Sequence, residues 1–213
     1  MCVIIGKMAE QEKPTEELLR ACWKSNPHGG GLMWRQDDDV VVIKGLMSIN
    51  TFLKACNEIP DGVETWYHFR IVSRGSICTE QCHPFYLPGE AWFMHNGTFH
   101  IEPFGGMSDT QTVAEYINTN NLDADDVISG LCKESYSKAV ILRPGAKTAL
   151  YGSWNEYEGY KVSNLYFVDS LQRKKVKDWS KSRTLCETCA LYGVDCYSKL
   201  YNYWYDCPDY REG

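Results

Sequence analysis

The residue that could most readily take part in catalysis lies at the start of the chain. If the initiator Met1 is removed, Cys2 becomes the amino terminus and carries a thiol and a free α-amine on one residue. An α-amine has a reference pKa of about 7.7–8.0, so part of it is unprotonated at neutral pH and can accept the thiol proton. Residues 2–5 also form an apolar run, which is typical of a buried strand with a structural cysteine. Cys2 alone therefore leaves a catalytic and a structural interpretation open.

Three more motifs follow Cys2, and each also has an ordinary structural explanation. They occupy residues 68–75 with 82–85, residues 95–99 and residues 108–111. Asn96-Gly97 between two apolar runs is the leading signal of a two-residue hairpin turn. The segment from Ser108 to Gln111 has the spacing of a helix capping box, and Arg70 could be a charged residue at a strand end. Taken singly, the motifs leave their roles undecided.

In this order and spacing behind Cys2, the motifs resemble the class II glutamine amidotransferases, whose glutaminase domains are N-terminal-nucleophile hydrolases. Residues 26–33, Asn-Pro-His-Gly-Gly-Gly-Leu-Met, resemble a variant of the Asn/Asp-Gly-x-Gly segment of that family, and the resemblance extends from residue 2 to about residue 115. It implies an α+β fold: a four-layer αββα sandwich of two antiparallel sheets between helices. The order of the predicted elements favours the same fold class.

The resemblance implies a nucleophile and an oxyanion hole. Cys2 would attack the side-chain amide of glutamine and form a thioester. The Asn96 side-chain amide and the Gly97 backbone N–H would stabilise the tetrahedral oxyanion. Each such donor typically contributes about 3–4 kcal/mol to the stability of the transition state. Glycine at position 97 would also let the substrate approach the backbone closely.

The resemblance also implies a set of substrate-binding residues. The Arg70 guanidinium offers a planar fork that matches the α-carboxylate of glutamine. A carboxylate at the Asp109 position would bind the α-ammonium, and the start of a helix is a favourable place for it. Ser73 and His95 complete the predicted set. Arg74 departs from the family pattern because it places a cation where an imidazole is common, and this leaves the identity of the amide substrate open.

Three functions follow from these residues. A stand-alone glutaminase would hydrolyse L-glutamine and supply ammonia to a separate synthase, its partner protein. An N-terminal-cysteine amidohydrolase would act on a γ-glutamyl compound or another amide without ammonia transfer. A non-enzymatic protein would retain the fold for interaction with other proteins. The joint presence of Cys2, Arg70, Asn96, Gly97 and Asp109 argues against the third function, and we expect an enzyme of the first kind.

The elements that must position these residues can be predicted from hydrophobic patterning and turn signals. Helices are predicted at residues 15–24, 49–59, 109–120 and 123–134, and strands at residues 2–5, 32–35, 40–44, 64–71, 91–95, 98–101, 138–142, 148–151 and 164–168.

Composition restricts the partner and the compartment. A net charge of −6 and a pI near 5.4 argue against nucleic-acid binding, which needs a basic face. No apolar run approaches the roughly 20 residues that span a bilayer, and the start of the chain lacks the pattern of a secretory signal, so we expect no membrane contact. The ten cysteines then fit a reducing, cytoplasmic location.

The chain is predicted to divide near residue 178. Residues 1–178 would form the glutaminase domain, and residues 179–213 would form a C-terminal extension rich in cysteine and tyrosine. Four cysteines of the extension could enclose a tetrahedral zinc ion, with free cytosolic thiols as the alternative. They are Cys186, Cys189, Cys196 and Cys207. No other cofactor is expected.

Overall fold

The computed structural model describes residues 1–171. In it, the strand that follows Cys2 lies buried inside a six-stranded antiparallel sheet, the first of two sheets. This strand, β1 (Val3–Lys7), pairs antiparallel with one strand on each side, and its side chains are buried on both faces. The other five strands are β2 (Gly30–Gln36), β3 (Asp39–Leu46), β4 (Thr65–Phe69), β9 (Asn155–Tyr157) and β10 (Tyr160–Val162). Their order in the sheet is β3-β2-β4-β1-β10-β9.

A second antiparallel sheet contains four strands. They are β5 (Phe85–Leu87), β6 (Ala91–Asn96), β7 (Lys138–Leu142) and β8 (Ala149–Tyr151), which lie side by side in that order. Strand β6 ends at the predicted Asn96-Gly97 motif, so the second sheet carries this motif toward the end of β1 at which Cys2 lies.

Four helices begin at residues that can cap them. They are α1 (Glu16–Ser25), α2 (Ile49–Cys56), α3 (Asp109–Asn120) and α4 (Ala124–Ser135). Each is preceded by Thr, Ser or Asp, whose side chain accepts a hydrogen bond from a backbone N–H of the first turn. At α3 this residue is Ser108, which accepts from Gln111 N at 3.1 Å. The cap fixes the start of α3 and therefore the position of Asp109.

The two sheets pack face to face, and helices cover their outer faces. Because side chains alternate along a strand, Met94 of β6 joins Ile4 and Trp66 in the apolar core between the sheets. Phe93 points the other way and packs in a core that includes residues of α3 and α4. On the first sheet, Phe52 of α2 contacts the ring of Phe69 at 4.7 Å between centroids. The predicted αββα sandwich is therefore confirmed.

Two strand predictions are wrong. Residues 98–101 form no strand, since β6 pairs with β5 and β7 instead, and the Phe99 N–H is bonded to the Asp109 carboxylate. The hairpin interpretation of Asn96-Gly97 therefore fails. Residues 164–168 are also not a strand, because the side chain of Asn164 accepts from Tyr166 N at 3.1 Å and turns the chain. The predictions also lacked β5, β9 and β10.

Residues Met1–Ser170 form one compact unit. The predicted domain boundary at residue 178 and the extension after it lie outside the described residues, so they remain predictions. Among the described helices, none has the length and apolar character needed to cross a membrane.

Candidate active site

Cys2 lies just before β1, with its side chain buried. The residue is 8% exposed, and its Sγ donates a hydrogen bond to the Ile71 carbonyl at 3.5 Å. Burial raises the pKa of the Cys2 thiol, although this hydrogen bond and the nearby charge of Arg70 oppose the change. The thiol is therefore neutral at physiological pH and needs a base to become a nucleophile.

The backbone around Cys2 is held by side-chain amides. Asn26, at the end of α1, donates from Nδ2 to the Met1 carbonyl at 2.8 Å. Asn164 donates from Nδ2 to the Cys2 carbonyl at 2.6 Å. With Met1 in place, the nitrogen of Cys2 belongs to a peptide bond, so its service as a base requires removal of Met1.

Arg70 is a buried cation at the end of β4. It is 3% exposed, and its guanidinium donates to the Ser76 carbonyl at 2.7 Å and to Gln81 Oε1 at 2.9 Å. Both acceptors are neutral, and no carboxylate among residues 1–171 forms an ion pair with it. A buried charge without a counter-charge is costly, so this site favours an anionic ligand.

Asp109 is a buried anion at the first position of α3. It is 4% exposed, and its Oδ2 accepts from Phe99 N at 2.7 Å. Burial raises the pKa of the Asp109 carboxyl, while backbone N–H groups of Phe99 and Thr110 oppose this by favouring the ionised form. In the described part of the chain it has no ion-pair partner either.

Asn96 and Gly97 lie at the end of β6. Gly97 has φ of 146°, and a Cβ there would lie 2.2 Å from the Ser137 Cβ, so no other residue fits without rearrangement. The buried Asn96 amide donates from Nδ2 to Ser163 Oγ at 2.9 Å, and its Oδ1 has no partner among the described residues. The amide is thus held on one side and free on the other.

His95 and Ser73 differ in how firmly they are placed. His95 is buried, its Nδ1 lies 2.9 Å from Thr110 Oγ1, and its ring stacks on Phe99 at 3.8 Å between centroids. Its Nε2 has no partner within residues 1–171. Ser73 is exposed, with its hydroxyl 3.4 Å from that of Thr98. His95 is therefore part of the rigid wall, and Ser73 lies at the mouth.

Three buried imidazoles form a cluster beside the site. The rings of His68 and His83 stack at 3.9 Å between centroids, and His68 Nε2 lies 3.2 Å from the His95 carbonyl. Burial lowers the pKa of His68 and His95 to about 3 and that of His83 well below its usual value. All three are therefore neutral at physiological pH, and none is a cation that could bind the substrate carboxylate.

Six of the seven predicted site residues line one small cavity. Its volume is about 20 Å³, enough for roughly one water molecule but not for an amino acid. The six are Cys2, Arg70, Ser73, His95, Gly97 and Asp109, and Arg74 also lines the cavity. Asn96 does not line it. The cavity therefore has to widen before it can hold an amino acid.

Three polar residues of the site were missed by the sequence analysis. Ser163 accepts from Ile4 N at 2.8 Å, Asn164 holds the Cys2 carbonyl, and Gln81 binds Arg70. Ser163 and Asn164 belong to none of the recognised motifs, and the hydrophobic pattern predicts a strand that begins at Asn164. Gln81 lies between the two parts of the first motif. Its side-chain amide has both an acceptor and a donor, and this was the only sequence feature that could have suggested a role in holding Arg70.

The predicted zinc ligands lie outside the described residues. Within residues 1–171, no group of three or more His, Cys, Asp or Glu side chains is arranged to hold a metal ion. The zinc site in the extension thus remains a prediction.

Comparison with known proteins identifies similar structures but no similar sequence. No protein-family model and no curated protein matches the chain. The glutamine phosphoribosylpyrophosphate amidotransferase of B. subtilis aligns with a TM-score of 0.52 at 16% identity, over 76% of this chain and 41% of that one. A predicted glutamine amidotransferase from Pseudomonas aeruginosa aligns with a TM-score of 0.39 at 14% identity, over 76% and 78%.

This chain spans less than half of the B. subtilis enzyme, and at 16% identity the similarity concerns the fold alone. That neighbour is a class II glutamine amidotransferase with an N-terminal-nucleophile domain. The two antiparallel sheets and flanking helices seen here are consistent with the fold of that neighbour. The chain therefore has the fold of the N-terminal-nucleophile glutamine amidotransferases.

Proposed function

We propose that this protein hydrolyses the side-chain amide of L-glutamine through a thioester on Cys2 and supplies the ammonia to a separate synthase. One observation carries the proposal: buried Arg70 and buried Asp109, each without an ion-pair partner among the described residues, line the same cavity as Cys2. The fold of a glutamine amidotransferase supports it.

The two unpaired charges match the two charges of an amino acid. An isolated buried ion costs several kcal/mol, and a ligand with the opposite charge removes that cost. Arg70 would bind the α-carboxylate through its guanidinium, and Asp109 would bind the α-ammonium. Since both residues line the cavity with Cys2, a ligand held at its α-carbon would extend its side chain toward the thiol.

The chemistry then follows in two stages. In the mature protein, the α-amine of Cys2 accepts the thiol proton, and the thiolate attacks the amide carbon. The Gly97 N–H and the Asn96 amide stabilise the oxyanion. The C–N bond breaks, the leaving nitrogen takes the proton back from the amine, and ammonia departs. Water, deprotonated by the same amine, then hydrolyses the thioester and releases glutamate.

One observation favours a second candidate, an amidohydrolase that acts on a γ-glutamyl compound without ammonia transfer. Arg74 lines the cavity and is exposed, and its Nη1 donates to the Ile101 carbonyl at 3.0 Å. A second cation at the mouth suits a substrate that carries an additional anionic group beyond the amide. The two candidates share the same nucleophile and the same α-carbon contacts.

Maturation and the nucleophile can be tested together. Intact-mass analysis of active protein should show the loss of Met1, and Cys2→Ala should abolish the release of ammonia and glutamate from L-glutamine. Cys2→Ser should retain slow activity because an alkoxide is harder to generate than a thiolate. Cys22→Ala, which removes a buried thiol from α1, is the matched control and should remain active. Full activity of Cys2→Ala would contradict the proposal.

The choice between the two candidates depends on the substrate. Under the first, free L-glutamine is hydrolysed, and a glutamine inside a peptide is not, because it lacks the free α-groups that Arg70 and Asp109 bind. Preference for an N-substituted γ-glutamyl amide, with no hydrolysis of free glutamine, would favour the second.

A further inference from the structure

The hydroxyl of Ser163 joins the strand of the nucleophile to the residue proposed for the oxyanion hole. Its Oγ lies 2.8 Å from Ile4 N, in the first sheet, and 2.9 Å from Asn96 Nδ2, at the end of a strand of the second sheet. The Ser163 N–H also donates to the Ile4 carbonyl at 3.0 Å. Ser163 is fully buried, so water does not compete for these bonds.

The Asn96 amide can turn either its Nδ2 or its Oδ1 toward Ser163, and the Ser163 hydroxyl can form a hydrogen bond with either atom. In the structure Nδ2 faces Ser163, and the atom left without a partner among the described residues is Oδ1. An oxyanion needs a donor, so the productive orientation is the one turned by half a rotation, with Nδ2 free. A hydroxyl is both donor and acceptor, so Ser163 can accept from Ile4 N and donate to Asn96 Oδ1 at the same time.

We propose that Ser163 is a positioning residue that orients the Asn96 amide toward the oxyanion and fixes it relative to the strand of Cys2. The inference rests on the proposed function, and it assigns a role to a residue that does not touch the substrate. Asn164 assists from the next position, since its Nδ2 donates to the Cys2 carbonyl at 2.6 Å. Ser163 therefore acts through Asn96, and its removal should affect the transition state more than substrate binding.

The test compares variants of the mature full chain with free L-glutamine. Ser163→Ala should lower kcat at least tenfold and change KM less than threefold, because Arg70 and Asp109 are untouched. Ser163→Thr keeps the hydroxyl and should recover most of the activity. Thr15→Ala, which removes the capping hydroxyl of α1, is a control for a general loss of stability and should keep kcat near the wild-type value.

A double-mutant cycle separates positioning from packing. If Ser163 acts through Asn96, Ser163→Ala in an Asn96→Ala background should lower kcat less than twofold further. Independent, multiplicative losses would overturn the proposal, as would wild-type kcat in Ser163→Ala. If Ser163→Ala does not fold, Ser163→Cys, a weak donor and acceptor, gives the same comparison.

One readout is independent of activity. The Ile4 N–H is bonded to Ser163 Oγ, so its hydrogen exchange should accelerate at least tenfold in Ser163→Ala and not in Thr15→Ala. Unchanged exchange would overturn the proposed bridge. Mature wild-type protein that does not hydrolyse glutamine would instead contradict the proposed function, and the two failures are thereby distinguishable.

Discussion

Single residues in the site adopt states that would be unfavourable elsewhere in the core. Arg70 is buried against neutral acceptors, and Gly97 has a positive φ beside the Ser137 side chain. Unpaired buried charge and restricted backbone tend to concentrate where a ligand or a reaction makes use of them. The site thus combines a prepared charge pattern with a prepared backbone.

Replacement of Arg70 by lysine tests the charge pattern. Lys keeps the charge but loses the planar fork, so it cannot hold Ser76, Gln81 and a substrate carboxylate in the same way. We expect kcat/KM for L-glutamine to fall at least tenfold, about 1.4 kcal/mol, mainly through KM. Steady-state kinetics of Arg70→Lys measure this.

Arg74→Lys is the matched control, because Arg74 is exposed and its guanidinium donates to the Ile101 carbonyl. It should change kcat/KM for free glutamine less than threefold. Equal losses in the two variants would indicate that Arg70 has no special contact with the substrate.

Much of the site could be predicted at this scale, and the missing part has a physical reason. Cys2, Arg70, Gly97 and Asp109 belong to motifs with chemical side chains at characteristic spacing, and the structure brings them to one cavity. Ser163 contributes only a hydroxyl, and its importance depends on which backbone N–H and which amide lie beside it. In the sequence, Asn96 is 67 positions and Ile4 is 159 positions away from Ser163, so these contacts leave no local pattern.

At the scale of elements, helices were predicted more accurately than strands. Helix α3 (Asp109–Asn120) was predicted with its exact bounds because Ser108 is a recognisable cap. Residues 98–101 have the apolar pattern of a strand, but the Asp109 carboxylate binds the Phe99 N–H, and the segment pairs with no strand of the described residues. Local propensity cannot reveal such a tertiary hydrogen bond.

The elements also bring three histidines into one buried cluster, which should make stability depend on pH. The pKa of His68 and His95 is lowered to about 3 in the folded state, against about 6.5 in the unfolded chain. Between these values the unfolded state binds more protons, so this contribution to stability is present above about pH 6.5 and is lost as the pH falls. The urea midpoint should therefore decrease steadily from pH 7 to pH 4.

His83→Phe isolates the contribution of the cluster. His83 has no hydrogen-bond partner for either ring nitrogen among the described residues, and its ring packs against His68 and Phe85. Phenylalanine keeps an aromatic ring without a titratable group, so the pH dependence of the urea midpoint should become shallower. An unchanged dependence would show that other groups control acid unfolding. Asp109 contributes a pH dependence of the opposite sign. Because its pKa is raised in the folded state, its contribution to stability is lost as the pH rises.

For the whole molecule, the described part already contains the complete sandwich and the site. Both sheets, four helices and the cavity around Cys2 lie within Met1–Ser170. The chain spans 41% of the B. subtilis amidotransferase.

Truncation after residue 178 tests the predicted division of the chain and its metal content together. Residues 1–178 should fold and keep the reactivity of Cys2, because the elements that hold it all precede residue 171. Metal analysis decides between the two interpretations of the extension. About one zinc ion per reduced full-length chain, lost on truncation and on Cys186→Ser, would support the zinc site; no bound metal would support free thiols. Circular dichroism, alkylation of Cys2 and metal analysis provide the measurements. Zinc retained by residues 1–178 would contradict the assignment to Cys186, Cys189, Cys196 and Cys207, since no described group of residues is arranged to bind it.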